Sequence, residues 1–394
     1  MPTRTVYAVG ALISVSLVVV SLLLVGVLGT SAGISASFAR GASPPSWRVV
    51  AHGAAVPPLT AVAAFSSMDV WAVGGSEDVS KPVIVHWDGK TLRTTSFPWK
   101  DAEFSGVAGA SPRDVWAVGS INEESALVVH WDGRRWQRAQ LPSTGKGAWL
   151  ADVTAISQDD VWVVGGVGGR DLRPLVLHWN GRRWRVVDMR DAAPRGSDLR
   201  AIDSASGADV WAAGEQNVDA PSTMGFSALV LHWDGNRWRQ VPSAQVPVDL
   251  AVGPGSGCVS DDVAWAIDIA PSGEVWTADM DYGGEGPCFV RLSGPTRGAA
   301  HFYGQSIDGD PFPSGIAAVS RTSVWVVGDR ETVGPGELGS VSLYPVVSHW
   351  NGISWRVQDT PFDGLKNATL DDLTALSPTD IWAAGNHLLV HYSQ

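Results

Sequence analysis

The chain is short of cysteine and short of charge, with 2 Cys in 394 residues and 17% Asp, Glu, Lys and Arg. Two thiols cannot build a disulfide framework or a four-cysteine zinc site. Basic residues are the scarcer sign, 28 Lys and Arg against 40 Asp and Glu, for a formal charge of −12. That balance excludes nucleic acid and an anionic membrane surface as partners of the main body of the chain. The sequence also lacks a serine nucleophile elbow, a phosphate-binding glycine loop and a zinc-binding helix motif. Gly (44) and Pro (24) stay below the level of low-complexity disorder, and 45% hydrophobic residues suffice for a large core. What the chain has in excess is tryptophan, 20 in all.

The N-terminus stands apart. Residues 6–28 carry no charge, and the next charged side chain is Arg40. The run is long enough to cross a bilayer of about 30 Å as a helix, and longer than the apolar core of a cleaved signal peptide. Residues 1–40 are therefore read as a single-pass signal-anchor with a short linker, and 41–394 as the exported part. The alternative is cleavage after the small residues of Ser37-Phe38-Ala39, with secretion of the rest.

The remainder repeats itself. The phrase Asp-Val-Trp-Ala-Val-Gly recurs with variations around Trp71, Trp116, Trp162, Trp211, Trp276, Trp325 and Trp382, at a spacing of roughly 50 residues. Five positions before these anchors stand Ser66, Ser111, Ser157, Ser206, Pro271, Ser320 and Ser377. A second phrase, His-Trp-Asp-Gly or His-Trp-Asn-Gly, follows most anchors, starting at His86, His130, His178, His232 and His349, with His391 in the last copy. A further Trp comes three residues after the glycine at Trp136, Trp184, Trp238 and Trp355. The segments between these marks are short, β-rich and bounded by Ser-x-x-Asp and Asp-Gly turns. Four antiparallel strands per unit, repeated seven times, predict an all-β, seven-bladed propeller. The last unit ends before its fourth strand, and Ser-Trp-Arg-Val-Val at residues 46–50 matches that missing strand. The N-terminal strand is therefore expected to be the outer strand of the last blade, closing the ring and removing an open edge.

The layout resembles the kelch and galactose-oxidase-like propellers. The resemblance rests on the glycine pairs Gly74-Gly75 and Gly165-Gly166 and on the aromatic spacing of Trp131 to Trp136; the other units keep Gly119, Gly214, Gly328 or Gly385, and the fifth has Asp279. It implies the fold and carries no chemistry.

The anchor tryptophans and the histidine column read as packing between blades, since symmetry scatters them around the ring. Functional residues belong where the repeat breaks. Tight turns recur at one end of every blade, whereas the second-to-third loops and the inter-blade connections vary and share the other face, including 328–345 and 358–371. Trp99, Trp149 and Trp265 fit no repeat column and lie towards this face, where exposed rings suit sugar stacking or aromatic side chains. Beside an aliphatic column on the innermost strands stand Asp152, Asp203, Asp268 and Asp372, expected to be hydrated, hydrogen-bonded channel carboxylates, with a calcium-like ion as the alternative. The fifth unit holds Cys258 and Cys288, expected to pair in an exported chain, and a polar cluster of Asp279, Asp281, Tyr282 and Glu285. No resident metal or cofactor is assigned otherwise.

These readings converge on a monomeric, membrane-anchored propeller that binds a glycan or an envelope protein without catalysis. The alternative is a secreted carbohydrate-active enzyme, galactose-oxidase-like or glycosidase-like. Tyr282, Tyr303, His301 and the two cysteines are the only candidates for the first type, and no arginine triad can be assembled for a sialidase-like site.

Overall fold

A computed structural model describes residues 44–75, 81–122, 125–169, 172–217, 226–241, 262–281, 287–292, 300–302, 312–333 and 341–394, with backbone alone at 55, 226, 262–263, 279–281, 287–292, 300–302, 331–333 and 341. The segment expected to cross a membrane lies outside these residues. Among the described residues no helix is long and apolar enough to do so.

The chain opens with β1 (Ser46–His52), followed by β2 (Leu59–Ser66), β3 (Asp69–Gly75), β4 (Pro82–Trp87) and β5 (Leu92–Ser96). β2 to β5 form a four-stranded antiparallel meander, the first blade. The same meander recurs at residues 102–138, 148–187, 197–241, 262–302 and 312–357, giving blades two to six. The last sheet takes three strands from the C-terminus and its outer strand from β1, which pairs antiparallel with Leu388–Ser393. The described chain is thus a β-propeller of four-stranded antiparallel blades, drawn from seven four-stranded sheets. First strands of successive blades touch one another, so they line the axis.

Local chemistry explains each turn. In the first-to-second turn the column serine accepts a backbone N–H two residues on, as Ser66 Oγ does from Met68 N at 3.2 Å and Ser157 Oγ from Asp159 N at 3.2 Å. In the third-to-fourth turn Asp88, Asp132, Asn180, Asp234 and Asn351 each accept two backbone N–H groups. The glycine that follows adopts positive φ, +85° at Gly89, which any side chain would resist. A different constraint governs the glycine ending the second-strand phrase. The first strand bulges here, and a Cβ on Gly214 would lie 2.2 Å from the carbonyl oxygen of Asp198.

Packing then joins the blades. In every blade but the fifth, whose Trp276 faces Arg291, the anchor tryptophan lies against its own blade's histidine, Trp71 on His86 at 4.0 Å and Trp162 on His178 at 4.0 Å. In the first to third blades it also meets two rings of the next blade: Trp71 contacts Trp131 and Trp136 at 5.3 and 5.4 Å, and Trp162 contacts Trp233 and Trp238 at 5.2 and 5.6 Å. The histidine is fixed in turn by a carboxylate two residues before the anchor. His86, His178 and His232 lie 2.8 Å from Asp69, Asp160 and Asp209, with His130 on Asp114 and His391 on Asp380. In the sixth blade Ser323 replaces the acid, 3.0 Å from His349.

Trp47 fills the outer-strand place in the last blade. It is cross-strand to Tyr392, as Trp136 is to Trp131, and meets Trp325 of the sixth blade at 5.9 Å. Across the join, Trp382 contacts Trp87 of the first blade at 6.4 Å. Because Trp47 is buried at 6% exposure, Trp47→Ala should cost about 3–5 kcal/mol, read in chemical denaturation. Trp99→Ala, at a half-buried site, should cost clearly less; equal losses would contradict a closing role for β1.

Candidate functional site

The innermost strands carry the four carboxylates singled out in the sequence, and they do one shared job. Asp152 accepts from Val153 N at 2.7 Å and from Ile202 N of the next blade at 2.9 Å. Asp372 accepts from Leu373 N and from Val62 N of the first blade, both at 2.8 Å. Asp203 accepts from Ile269 N at 2.8 Å, and Asp268 from Ala318 N. Where the acid is absent, a hydroxyl makes the inter-blade link: Thr60 Oγ1 donates to Phe104 O at 2.8 Å and Ser105 Oγ to Leu150 O at 2.6 Å. These side chains thus clamp neighbouring first strands at six of the joins around the axis. Among the described residues no group of three or more His, Cys, Asp or Glu is placed to hold a metal ion.

These carboxyls sit among protein atoms at the axis, and burial raises them. Asp152 is pushed up to about 6, and Asp372 to about 8, with the charges of Asp152 and Asp371 adding to its burial. Asp203 is driven well above the ordinary value by burial and by Asp268, to which it is hydrogen-bonded; that contact requires one of the pair to keep a proton. Nearby, burial and Asp371 push Asp329 to about 8, and burial takes Asp371 to about 6.

At the variable-loop end of the axis the first strands bulge, and the bulged residue differs from blade to blade. It is Thr60, Ser105, Ala151, Arg200, Trp265 and Ser314 in blades one to six. Small residues fit this column; Arg200 and Trp265 break it together. The Arg200 guanidinium carbon lies 4.5 Å from the Trp265 ring centroid, and its Nη2 lies 3.0 Å from Glu215 Oε1 and 3.5 Å from Asp198 Oδ2. Asp198 is 3% exposed, its Oδ1 has no partner, and burial raises it to about 6. Arg200 and Asp198 were not singled out in the sequence; the signal was the charged residue at a position that is small in other units.

The three tryptophans do not converge. Trp99 stacks on Phe97 at 5.0 Å and lies 5.9 Å from the Arg138 guanidinium. Trp149 lies against Gly166, whose added Cβ would sit 2.8 Å from the ring. Trp265 is covered by Arg200. Of the polar cluster, Tyr282 and Glu285 lie outside the described residues, and Asp279 and Asp281 are described by backbone alone in the strand Val275–Asp281. Cys258 lies outside them too, while Cys288 is a backbone position in Pro287–Leu292. Tyr303 also falls outside, and His301 is backbone only.

Cavities open on the described surface, two of them large. One of about 980 Å³ runs along the groove between blades two and three, lined by repeat-column residues such as Trp116, His130, Trp179 and Trp184. The other, of about 810 Å³, lies at the variable-loop end of the third blade. It is walled by the two connections that flank this blade, 139–147 and 188–196, and by the start of its third strand, Arg173–Trp179. Most of this lining comes from the connections and strand ends, and its cations, Lys146, Arg173, Arg190 and Arg195, are brought together by no single stretch of sequence.

No family model matches the chain, and no curated protein does. Among solved structures it is similar to YCF48 bound to D1 peptide, at 14% identity and TM-score 0.57, covering 89% of this chain and 98% of that one. It is similar to a catalytically inactive virginiamycin B lyase from Staphylococcus aureus with quinupristin, at 12% identity and TM-score 0.57, covering 89% and 100%. The WD40 repeats of RRP9 match at 12% identity and TM-score 0.57, covering 89% and 99%. At such identities the likeness establishes the propeller fold alone.

The channel carboxylates make stability depend on pH. Their folded values lie above the ordinary 3.8, so between about pH 4 and 8 the native state holds more protons than the unfolded chain, and stability falls as pH rises. Burial lowers His349 and His391 below 6.5, so stability also falls as pH drops beneath that value. Because more carboxyls are raised than histidines are lowered, the melting temperature should fall from about pH 5 to pH 9, by roughly several degrees. A midpoint still rising from pH 6 to pH 9 would contradict the buried, protonated carboxyls.

Proposed function

We propose that the chain is an exported, membrane-anchored, seven-bladed propeller of kelch-like type, serving as a non-catalytic binding module for a protein segment on its variable-loop face. The observation that supports it best is the 810 Å³ cavity, built largely by inter-blade connections and strand ends. Cavities of this size, on loops held by a rigid scaffold, are where ligands are usually taken. The larger groove recruits residues that each blade needs for packing, which favours a structural origin. Glycan binding draws less support from Trp99, Trp149 and Trp265. Phe97 already stacks on the first, the second presses on Gly166, and Arg200 covers the third.

A photo-crosslinking side chain placed at Ser143, on the cavity rim, should yield protein adducts in intact cells. The same group at Asp132, in a tight turn on the opposite face, should yield none. Adducts from Asp132 alone, or from neither position, would sink the reading. Anchoring is checked separately: the full-length protein should stay with membranes after alkaline extraction and retain residues 1–40, whereas a mature N-terminus near Arg40 would show cleavage.

A further inference from the structure

The cavity on the third blade carries charge opposite to that of the chain. Among the described residues its rim holds Lys146, Arg173, Arg190 and Arg195 against one carboxylate, Asp188. This cluster sits in a protein of formal charge −12. Asp188 grips Arg190 through Nε at 2.9 and 3.0 Å and through Nη2, but both side chains are largely solvent-exposed. Such an exposed pair is cheap to exchange for another carboxylate. Lys146, Arg173 and Arg195 have protein contacts of their own, so a ligand must compete with them. Beneath the rim the floor is apolar: Leu175 and Met189 are buried, with Val187 and Pro194 beside them.

We infer that this cavity binds an acidic peptide segment, its carboxylates on the cationic rim and its apolar side chains on the floor. The inference rests on the protein-binding reading and narrows it to a ligand class. Two physical arguments support it. Guanidinium groups present paired donors that match a carboxylate, and three of the four cations are arginines. The chain as a whole is acidic, at a formal charge of −12, so a cationic opening gives an anionic peptide a local attraction that the net charge does not.

The test is an unbiased peptide-display selection on the full-length chain in detergent, followed by affinity measurement of the enriched peptides. Acidic peptides bearing apolar residues should dominate. The double variant Arg173→Glu/Arg195→Glu should weaken them by at least about tenfold, as should raising salt from about 50 to 200 mM. Both arginines are exposed, so the variant should keep the parent melting curve, which confirms that it folds. Neutral or basic peptides that bind the double variant unchanged would overturn the acidic class while leaving a peptide-binding face standing. Failure to enrich any peptide would overturn both. Inorganic polyphosphate displacing the peptides as well as they displace one another, with Met189→Ala without effect, would mark a generic polyanion patch and also overturn the proposal.

Discussion

One contact sets everything else: the indole of the second-strand tryptophan, which in the first three blades is pressed between its own blade's histidine and the aromatic pair of the next blade. Trp116 shows the full arrangement, with His130 at 3.9 Å, Trp184 at 5.4 Å and Trp179 at 5.8 Å. A propeller blade is a twisted sheet whose neighbours splay apart with distance from the axis, so the widening gap needs large rings. The Asp–His hydrogen bond fixes the imidazole against the indole. Nearer the axis rings no longer fit, and Asp, Thr and Ser side chains take over as hydrogen-bonded links between first strands. The join between the last and first blades obeys the same rules, with Trp47 and Arg48 supplied from the opposite end of the chain; Arg48 Nη2 lies 2.7 Å from His391 Nδ1.

Much of this was legible in the residues. Periodicity gave the strands, the serine and Asp-Gly columns gave the turns, and the residue run 46–50 gave the outer strand of the last sheet. The pairing of Asp69 with His86, or Asp209 with His232, was not seen, although the acid stands two residues before every anchor whose blade carries the pair. It was hidden because contact depends on cross-strand register, which brings Trp71 opposite His86 and leaves the acid just beyond. The fifth unit, with Glu274 and Arg291 at the two positions, and the sixth, with Ser323, were the informative exceptions.

The site residues were legible only in part. Asp152, Asp203, Asp268 and Asp372 stand out in the sequence beside the aliphatic column, and their use as inter-blade clamps emerged only from the distances. Trp99, Trp149 and Trp265 were identified because they break the repeat, but breaking a repeat says nothing about which way a ring faces. Arg200 and Asp198 escaped notice because the bulge that aims Arg200 is a backbone irregularity with no residue signature of its own. The third-blade cavity escaped for a related reason. Its cations come from two connections and one strand, far apart in sequence and adjacent only once the blade has folded.

The account separates a scaffold built from repeat columns from a binding surface built from what interrupts them. Hydrogen exchange of the full-length chain, with and without a display-selected acidic peptide, tests that division directly. Protection confined to residues 139–147, 173–175 and 186–196 is the predicted result. Protection centred on the tight turns at 88–91 and 132–135 would contradict it, because it would place recognition on the face that the repeat itself builds.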